Sequence, residues 1–157
     1  MSRFEHSEED GWTVGGDVDK VTVAVHVSGD SLDPERVTSL LGVEPTFAAR
    51  KGDERVSGSG HRTVVQRTGV WWIDVADSRE WLLEDAIEAL LSRLPPEGPV
   101  WDELGKNYTL RLSCALHIEA WNRGCELSPR ILAKIAQRGL TLDFDIYYSG
   151  EDPSDDA

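Results

Sequence analysis

Three stretches of the chain alternate apolar and polar residues with a period of two. They cover residues 21–28, 108–118 and 142–148. Because successive side chains of a strand point to opposite faces of a sheet, each stretch predicts a β-strand with one buried face. We expect the three strands to share one apolar face. The residues expected to point inward are Val21, Val23, Val25, Val27, Tyr108, Leu110, Leu112, Cys114, Leu116, Ile118, Leu142, Phe144, Ile146 and Tyr148.

Three amphipathic segments carry helix start and stop signals. An Asp-Pro pair begins the first segment (33–42), a Ser-Pro pair begins the last (128–139), and each segment ends at a glycine. Between them, Asp77 and Glu80 have the spacing of a capping box. They predict a middle helix that ends at about residue 94, where two prolines follow.

The remaining segments have weaker patterns. Residues 44–62 are rich in polar residues and glycine and predict a long loop. Residues 62–75 predict extended chain that turns near Gly69. Residues 101–104 predict one short helical turn.

The order of these elements indicates a fold class. Two strand–helix–strand halves echo each other, because each of their helices begins with proline and ends with glycine and an aliphatic residue. This predicts an α+β domain in which an antiparallel sheet carries its helices on one face, as a ferredoxin-like βαβ pseudo-repeat with an inserted helix. We expect one domain over residues 20–149, flanked by acidic, mobile tails at residues 1–19 and 150–157.

Composition places the chain among soluble proteins. Apolar residues make up 39% of the chain, and no apolar run approaches the length of a membrane span. Residues 1–19 are polar and acidic and contain no apolar signal segment. We therefore expect a cytoplasmic protein without membrane association.

Charge narrows the class of partner. The formal net charge is −13, and the segments 1–19 and 150–157 carry much of it. Binding to nucleic acid depends on neutralising phosphates with basic side chains, so an acidic chain is a poor candidate for it. The charge instead favours a basic protein partner.

Motifs for the common reaction classes are missing from the sequence. It contains no phosphate-binding loop, dinucleotide fingerprint, nucleophile elbow or paired-histidine metalloprotease motif. Cys114 and Cys125 have no metal-site spacing, so we expect a buried thiol at Cys114 and an exposed one at Cys125. We predict no catalytic residue, metal ligand or cofactor.

Polar residues on the predicted strands form the first candidate site. If the helices cover one face of the sheet, the opposite face is open to solvent, and we call it the open face. Imidazoles and carboxylates there can bind a metal or exchange protons, can receive a partner protein, or can form cross-strand ion pairs in solvent. We take the last of these as the default. The residues concerned are His26, Arg111, His117, Glu119, Asp143, Asp145 and Tyr147.

The second candidate site is the basic segment 50–67. Arg50, Lys51 and Arg62 lie close to Asp53 and to flexible glycines. Guanidinium groups bind carboxylate or phosphate with two hydrogen bonds, so this loop can close over an anion. The alternative is an exposed loop whose cations balance nearby acids.

Tryptophans supply the third candidate. Trp71 and Trp72 are adjacent in an extended segment, so they point to opposite faces. We expect one of them in the core and the other exposed for recognition on the open face or beneath the loop, and we count Trp72 among the binding candidates. Trp81, Trp101 and Trp121 are expected to be packing residues.

The motifs also resemble a known family. Four motifs stand in the same order as the motifs of that family. They are Leu32-Asp33-Pro34-Glu35 with the helix ending Leu-Leu-Gly-Val-Glu-Pro-Thr at residue 46, then Arg50-Lys51-Gly52-Asp53, then Gly69-Val70-Trp71-Trp72, and finally Leu142-Asp143-Phe144-Asp145-Ile146-Tyr147. Together they resemble the bacterial family catalogued as domain of unknown function 4279, over about residues 20–148. The resemblance implies a small bacterial domain and no catalytic residue.

These observations favour a non-enzymatic protein-binding module. An immunity-type protein that masks a basic toxin fits the size, the acidity and the missing motifs. The alternative is a small-anion-binding or hydrolytic domain that uses the 50–67 loop and the open face. A further option is a homodimer formed through the open face.

Overall fold

The computed structural model describes residues 15–60, 62–75 and 82–150. In chain order the elements are β1 (Gly16–Asp17), β2 (Lys20–Gly29), α1 (Pro34–Leu41), β3 (Phe47–Ala49), β4 (Glu54–Val56), β5 (Thr63–Val65), β6 (Gly69–Asp74), α2 (Leu83–Ser92), α3 (Pro99–Asn107), β7 (Thr109–Ile118), β8 (Arg123–Gly124), α4 (Pro129–Gln137) and β9 (Thr141–Tyr148). The α+β class predicted from the sequence is confirmed.

The main sheet has five strands in the order β3-β6-β2-β7-β9. The first four run antiparallel to their neighbours, whereas β9 lies parallel to β7. The sheet is therefore mixed, and the prediction of a wholly antiparallel sheet is wrong at this last strand. The physical reason is the connection, because the chain returns from β7 through β8 and the helix α4, and a helical crossover brings it back to a parallel neighbour.

The two predicted halves are not equivalent. Between α1 and β6 the chain adds β3 and the β4–β5 hairpin, and β6 returns antiparallel to β2. In the second half, β9 returns parallel to β7. The ferredoxin-like detail is not confirmed. In place of one inserted helix, α2 and α3 both lie between β6 and β7.

One apolar cluster lies between the sheet and the helices. Val21, Val23, Val25 and Val27 of β2 are at most 2% exposed, as the alternation predicts. The same cluster takes in buried residues of β6, β7 and all four helices. Because every helix contributes to it, the helices cover a single face of the sheet.

The ends of the helices follow their sequence signals. The Ser128 hydroxyl accepts a hydrogen bond from the amide of Ile131 at the start of α4. Gly42 and Gly139 have φ values of 67° and 66°, in the left-handed region that favours glycine. The carboxylate of Asp33 makes no cap hydrogen bond and instead accepts one from Arg50.

Several segment predictions need correction. The predicted loop at residues 44–62 contains β3 and β4, and β5 pairs with β4 rather than turning back on β6. The turn predicted at residues 101–104 is part of the nine-residue helix α3. The middle helix begins at Leu83, and the capping box of Asp77 and Glu80 lies outside the described residues.

The segment predicted as an N-terminal tail is partly structured. Within residues 1–19, β1 pairs with β8, and Asp19 accepts hydrogen bonds from the amide of Glu119 and the guanidinium of Arg123. Residues 1–14 and 151–157 lie outside the described residues. In the part that the structure describes, no helix is both long enough and apolar enough to cross a membrane.

Candidate functional site

A row of stacked side chains crosses the open face. The register places Phe47, Trp72, His26 and Arg111 side by side on β3, β6, β2 and β7. The rings of Phe47 and Trp72 stack with centroids 4.5 Å apart, and the His26 ring lies 5.7 Å from that of Trp72. Arg111 ends the row by donating a 2.8 Å hydrogen bond to Asp143. This row gives one end of the open face an aromatic surface.

A second ring pair lies at the other end of the open face. His117 and Tyr147 are paired in register and stack with centroids 4.9 Å apart. His117 is six residues beyond Arg111 on β7, which places it about 20 Å from the row containing His26. The two histidines therefore cannot share a ligand, although the sequence placed them on the same face.

Small side chains form the floor between the two aromatic ends. Thr22 and Ala24 of β2 lie opposite Ala115 and Ser113 of β7. Carboxylates flank this floor, with Asp74 on one side of it and Asp143 and Asp145 on the other. The open face is thus a shallow surface with aromatic ends and acidic flanks. Within the described ranges, no group of three histidine, cysteine or acidic side chains has the spacing to hold a metal ion.

Partial burial changes the titration of His26. Desolvation is the main cause that lowers its pKa, and the positive charge of Arg111 adds to the effect. The folded protein therefore keeps His26 neutral at pH values where the unfolded chain already binds a proton.

This pKa shift predicts a pH-dependent stability. The unfolded chain takes up a proton at His26 below about pH 6.5, so the free energy of unfolding should fall as pH drops below that value. We expect His26→Gln to have a smaller difference in unfolding free energy between about pH 7.5 and about pH 5.5 than the wild type. Urea titration at both pH values measures it. An unchanged difference would show that His26 titrates alike in both states.

The basic segment does not form an empty anion cradle. Arg50 donates hydrogen bonds to Asp33 and Glu35, and Lys51 forms an ion pair with Asp30. Lys51 also donates a hydrogen bond to the Asp30 carboxylate, and this bond lowers the pKa of Asp30. Two of the predicted anion ligands are therefore engaged by carboxylates near the start of α1.

A shallow groove beside Arg50 is also acidic. It lies between α1 and β3, and its charged lining residues are Glu35, Glu44, Asp53 and Arg50. Three carboxylates and one guanidinium give this groove a negative charge. It is not a suitable site for phosphate or another anion.

The Lys-Gly-Asp motif has a structural explanation. The Asp53 carboxylate accepts a 2.8 Å hydrogen bond from the backbone amide of Arg50, and Gly52 between them has a φ of 90°. These contacts close a tight turn that leads into β4. Arg62 lies at the loop end of the β4–β5 hairpin, where its amide donates a hydrogen bond to the Ser57 hydroxyl. Trp72 on β6 and Asp145 on β9 have β2 and β7 between them, so these two binding candidates do not form one site.

The tryptophan predictions are confirmed in part. Trp71 is 0% exposed, while Trp72 lies on the open face as expected. Trp101 is buried, but the prediction that Trp121 is a packing residue is wrong, because 73% of it is exposed. Trp121 lies in the turn after β7. Trp81 lies outside the described residues.

The main correction concerns β9. Phe144, Ile146 and Tyr148 were expected in the core, yet they are 42%, 66% and 47% exposed. They share a face with buried Cys114 and Leu116 of β7. Since β9 is the last strand of the main sheet, no strand of the described residues pairs with its outer edge, and the three side chains leave its apolar face exposed. We call this strand the β9 edge.

Helix length explains why the β9 edge is uncovered. The nine residues of α4 span about 14 Å, whereas the eight residues of β9 span about 27 Å. α4 leads directly into β9 and covers the end near Leu142. The length of the predicted helix was thus a signal, present in the sequence, that α4 would leave about half of β9 uncovered.

The cysteines behave as the sequence predicts. Cys114 is buried and Cys125 is exposed. Burial raises the pKa of Cys114 to about 12, and partial burial also raises the pKa of Cys125. Neither thiol is activated as a nucleophile at neutral pH.

Fold and site together define a small α+β domain with an open sheet face and an exposed apolar edge strand. The chain belongs to the family described as domain of unknown function (DUF4279), whose family model matches residues 19–149. Comparison with curated proteins gives no significant match, and comparison with solved structures gives none either. Among the motifs that carry the resemblance, Asp53 closes a turn, and Asp143 and Asp145 lie on the β9 edge.

Proposed function

We propose that this chain is a non-enzymatic protein-binding module that receives its partner on the β9 edge and the adjoining open face. The observation that carries the proposal is the exposure of Phe144, Ile146 and Tyr148 on the helix side of one edge strand. Contiguous exposed apolar surface is characteristic of interaction sites, and an open strand edge offers unsatisfied backbone groups.

The acidic residues beside this surface favour a basic partner. Asp143 and Asp145 lie along the β9 edge, and the whole chain carries a net charge of −13. A basic protein would be attracted and oriented by this field. An immunity-type protein that masks a basic toxin is one form that this function can take.

The small-anion alternative has less support. Arg50 and Lys51 are both engaged by carboxylates, and the groove beside Arg50 has a negative lining. An anion would have to displace these ion pairs before it could bind.

A capture experiment with matched variants tests the proposal. Immobilised wild-type protein should retain a basic protein from host extract, and Ile146→Ser should reduce the retained amount about tenfold, because Ile146 lies at the centre of the exposed strand. Leu132→Ser is the control, since Leu132 is also an exposed aliphatic residue, at 43%, but lies on α4 and not on β9. Equal retention by all three proteins would refute the β9 edge as the binding surface.

A growth assay tests the immunity form of the proposal. Co-expression with a toxin encoded beside this gene should restore growth with the wild type and with Leu132→Ser, but not with Ile146→Ser. Rescue that is independent of Ile146 would mean that the protein neutralises the toxin through another surface.

A further inference from the structure

We propose that the β9 edge binds an extended segment of the partner as an added β-strand, and that this segment alternates basic and apolar side chains. The inference rests on the proposed function, because it specifies the chemistry of the partner at that surface. Strand addition to a sheet edge obtains affinity from main-chain hydrogen bonds and specificity from alternate side chains.

The backbone orientation of β9 supports strand addition. The amide of Ser149 donates to the carbonyl of Ile118 on β7 at 3.0 Å. Because successive amides of a strand point to opposite edges, the amides of Phe144 and Ile146 point away from β7. No strand of the described ranges pairs with this outer side of β9. An incoming strand therefore finds a ladder of donors and acceptors.

The apolar face of β9 favours apolar residues at every second position of the added strand. Phe144 and Ile146 are exposed on the helix side of the sheet, next to the covered core. Side chains on the same face of an added strand would lie directly beside them. Aliphatic residues at these positions would extend the core past the end of α4.

The opposite face of β9 favours basic residues at the alternate positions of the added strand. Asp143, Asp145 and Tyr147 point to the open face, and Asp143 is already bonded to Arg111. Among the described residues the Asp145 side chain has no hydrogen-bond or ion-pair partner, and the residue is exposed. A lysine or arginine opposite Asp145 would pair with it and would reach the Tyr147 ring on the diagonal.

A second copy of the chain fits this edge less well. If two β9 strands paired antiparallel around Phe144 or Asp145, aspartates of the two copies would lie opposite each other, whereas pairing around Ile146 avoids this and leaves the repulsion between the two net charges. Like charges directly opposite each other destabilise a strand pair, and each copy carries a net charge of −13. Charge complementarity favours a basic segment instead.

Three synthetic peptides test the inference. The probe is Thr-Val-Lys-Val-Lys-Val-Thr, and its alternation is the same in both directions, so either strand orientation can bind. The first control is Thr-Lys-Lys-Val-Val-Val-Thr, which has the same composition without alternation. The second control replaces both lysines of the probe with glutamate. We expect the probe to bind at least about tenfold more tightly than either control, since only the probe places both side-chain sets on matching faces.

Variants of the protein assign the two faces. Ile146→Ser should weaken probe binding about tenfold at any salt concentration, because an apolar contact is lost. Asp145→Asn should weaken it about threefold at low ionic strength and less at high ionic strength, because salt screens an exposed ion pair. Leu132→Ser should bind the probe as the wild type does.

Backbone pairing has its own readout. Hydrogen exchange at the amides of Phe144 and Ile146 should slow when the probe is bound. N-methylation of the valines should block antiparallel addition, N-methylation of the lysines should block parallel addition, and methylation of both sets should abolish binding, since each orientation turns a different set of probe amides towards β9. Equal binding of probe and permuted control, or unchanged exchange at both amides, would overturn strand addition. If host capture still depends on Ile146 in that case, the proposed function stands and only this mode of binding fails.

Discussion

Trp71→Ala should lower the free energy of unfolding by about 3–5 kcal/mol, the range for deleting a large aromatic side chain from a packed core. Trp71 is 0% exposed and lies opposite Val27 of β2. Its indole also donates a 3.0 Å hydrogen bond to the hydroxyl of Thr38 on α1. The substitution leaves a cavity and removes this link between α1 and the sheet. Urea denaturation followed by circular dichroism measures the effect.

The neighbouring residue provides the matched control. Trp72 has the same side chain on the same strand but lies on the open face, between Phe47 and His26. Its replacement by alanine removes ring contacts without opening the core, so we expect a loss of about 1–2 kcal/mol. If Trp72→Ala destabilised the protein as much as Trp71→Ala, the assignment of the two faces would be wrong.

Strand alternation predicted most of the main sheet. The period of two in residues 21–28 identified β2 and its buried valines, and residues 108–118 identified β7 with buried Leu110, Leu112, Cys114 and Leu116. This succeeds because both strands are covered by helices along their length, so one face of each must be apolar. The strand pattern does not report the pairing direction of β9. The helix predicted at 128–139 between the two strands was the signal for parallel pairing, because a helical crossover joins parallel neighbours.

The same alternation gave a wrong prediction of burial where the helices no longer cover the sheet. Residues 142–148 have the pattern of a half-buried strand, and the structure shows β9 there, but its apolar side chains are exposed. Periodicity reports which residues share a face, and it does not report whether another element covers that face. The exposed β9 edge is the central part of the proposed site, and it is therefore the part that the sequence pattern alone misassigned to the core.

The polar candidates were predicted with mixed success. The register confirms that His26, Arg111, His117, Asp143 and Asp145 share the open face. Sequence could not give their positions along the strands, which separate the two histidines by about 20 Å. The alternative that the loop cations balance nearby acids agrees with the structure, but sequence could not identify the acids, because Asp30, Asp33 and Glu35 meet Arg50 and Lys51 only after the chain folds.

Arg138→Ala should lower the free energy of unfolding by about 2–4 kcal/mol, because it removes charge-assisted hydrogen bonds and leaves a cavity. Arg138 is only 5% exposed, at the end of α4. It donates to the carbonyls of Pro95 at 3.2 Å and Lys134 at 2.9 Å, and it lies over the Trp101 ring. Burial lowers its pKa, but a guanidinium remains protonated at neutral pH. Urea titration at neutral pH measures the loss.

Arg130 is the control for this substitution, because it is an arginine of the same helix whose side chain is 57% exposed. It pairs with Glu88 at 2.9 Å in solvent, where an ion pair contributes about 1 kcal/mol or less. Arg130→Ala should therefore cost much less than Arg138→Ala. Equal losses would mean that the buried guanidinium does not join α4 to the Pro95 segment and Trp101. The difference between the two variants measures what the buried guanidinium gains from its carbonyl partners, its contact with the Trp101 ring and its place at the C-terminal end of α4.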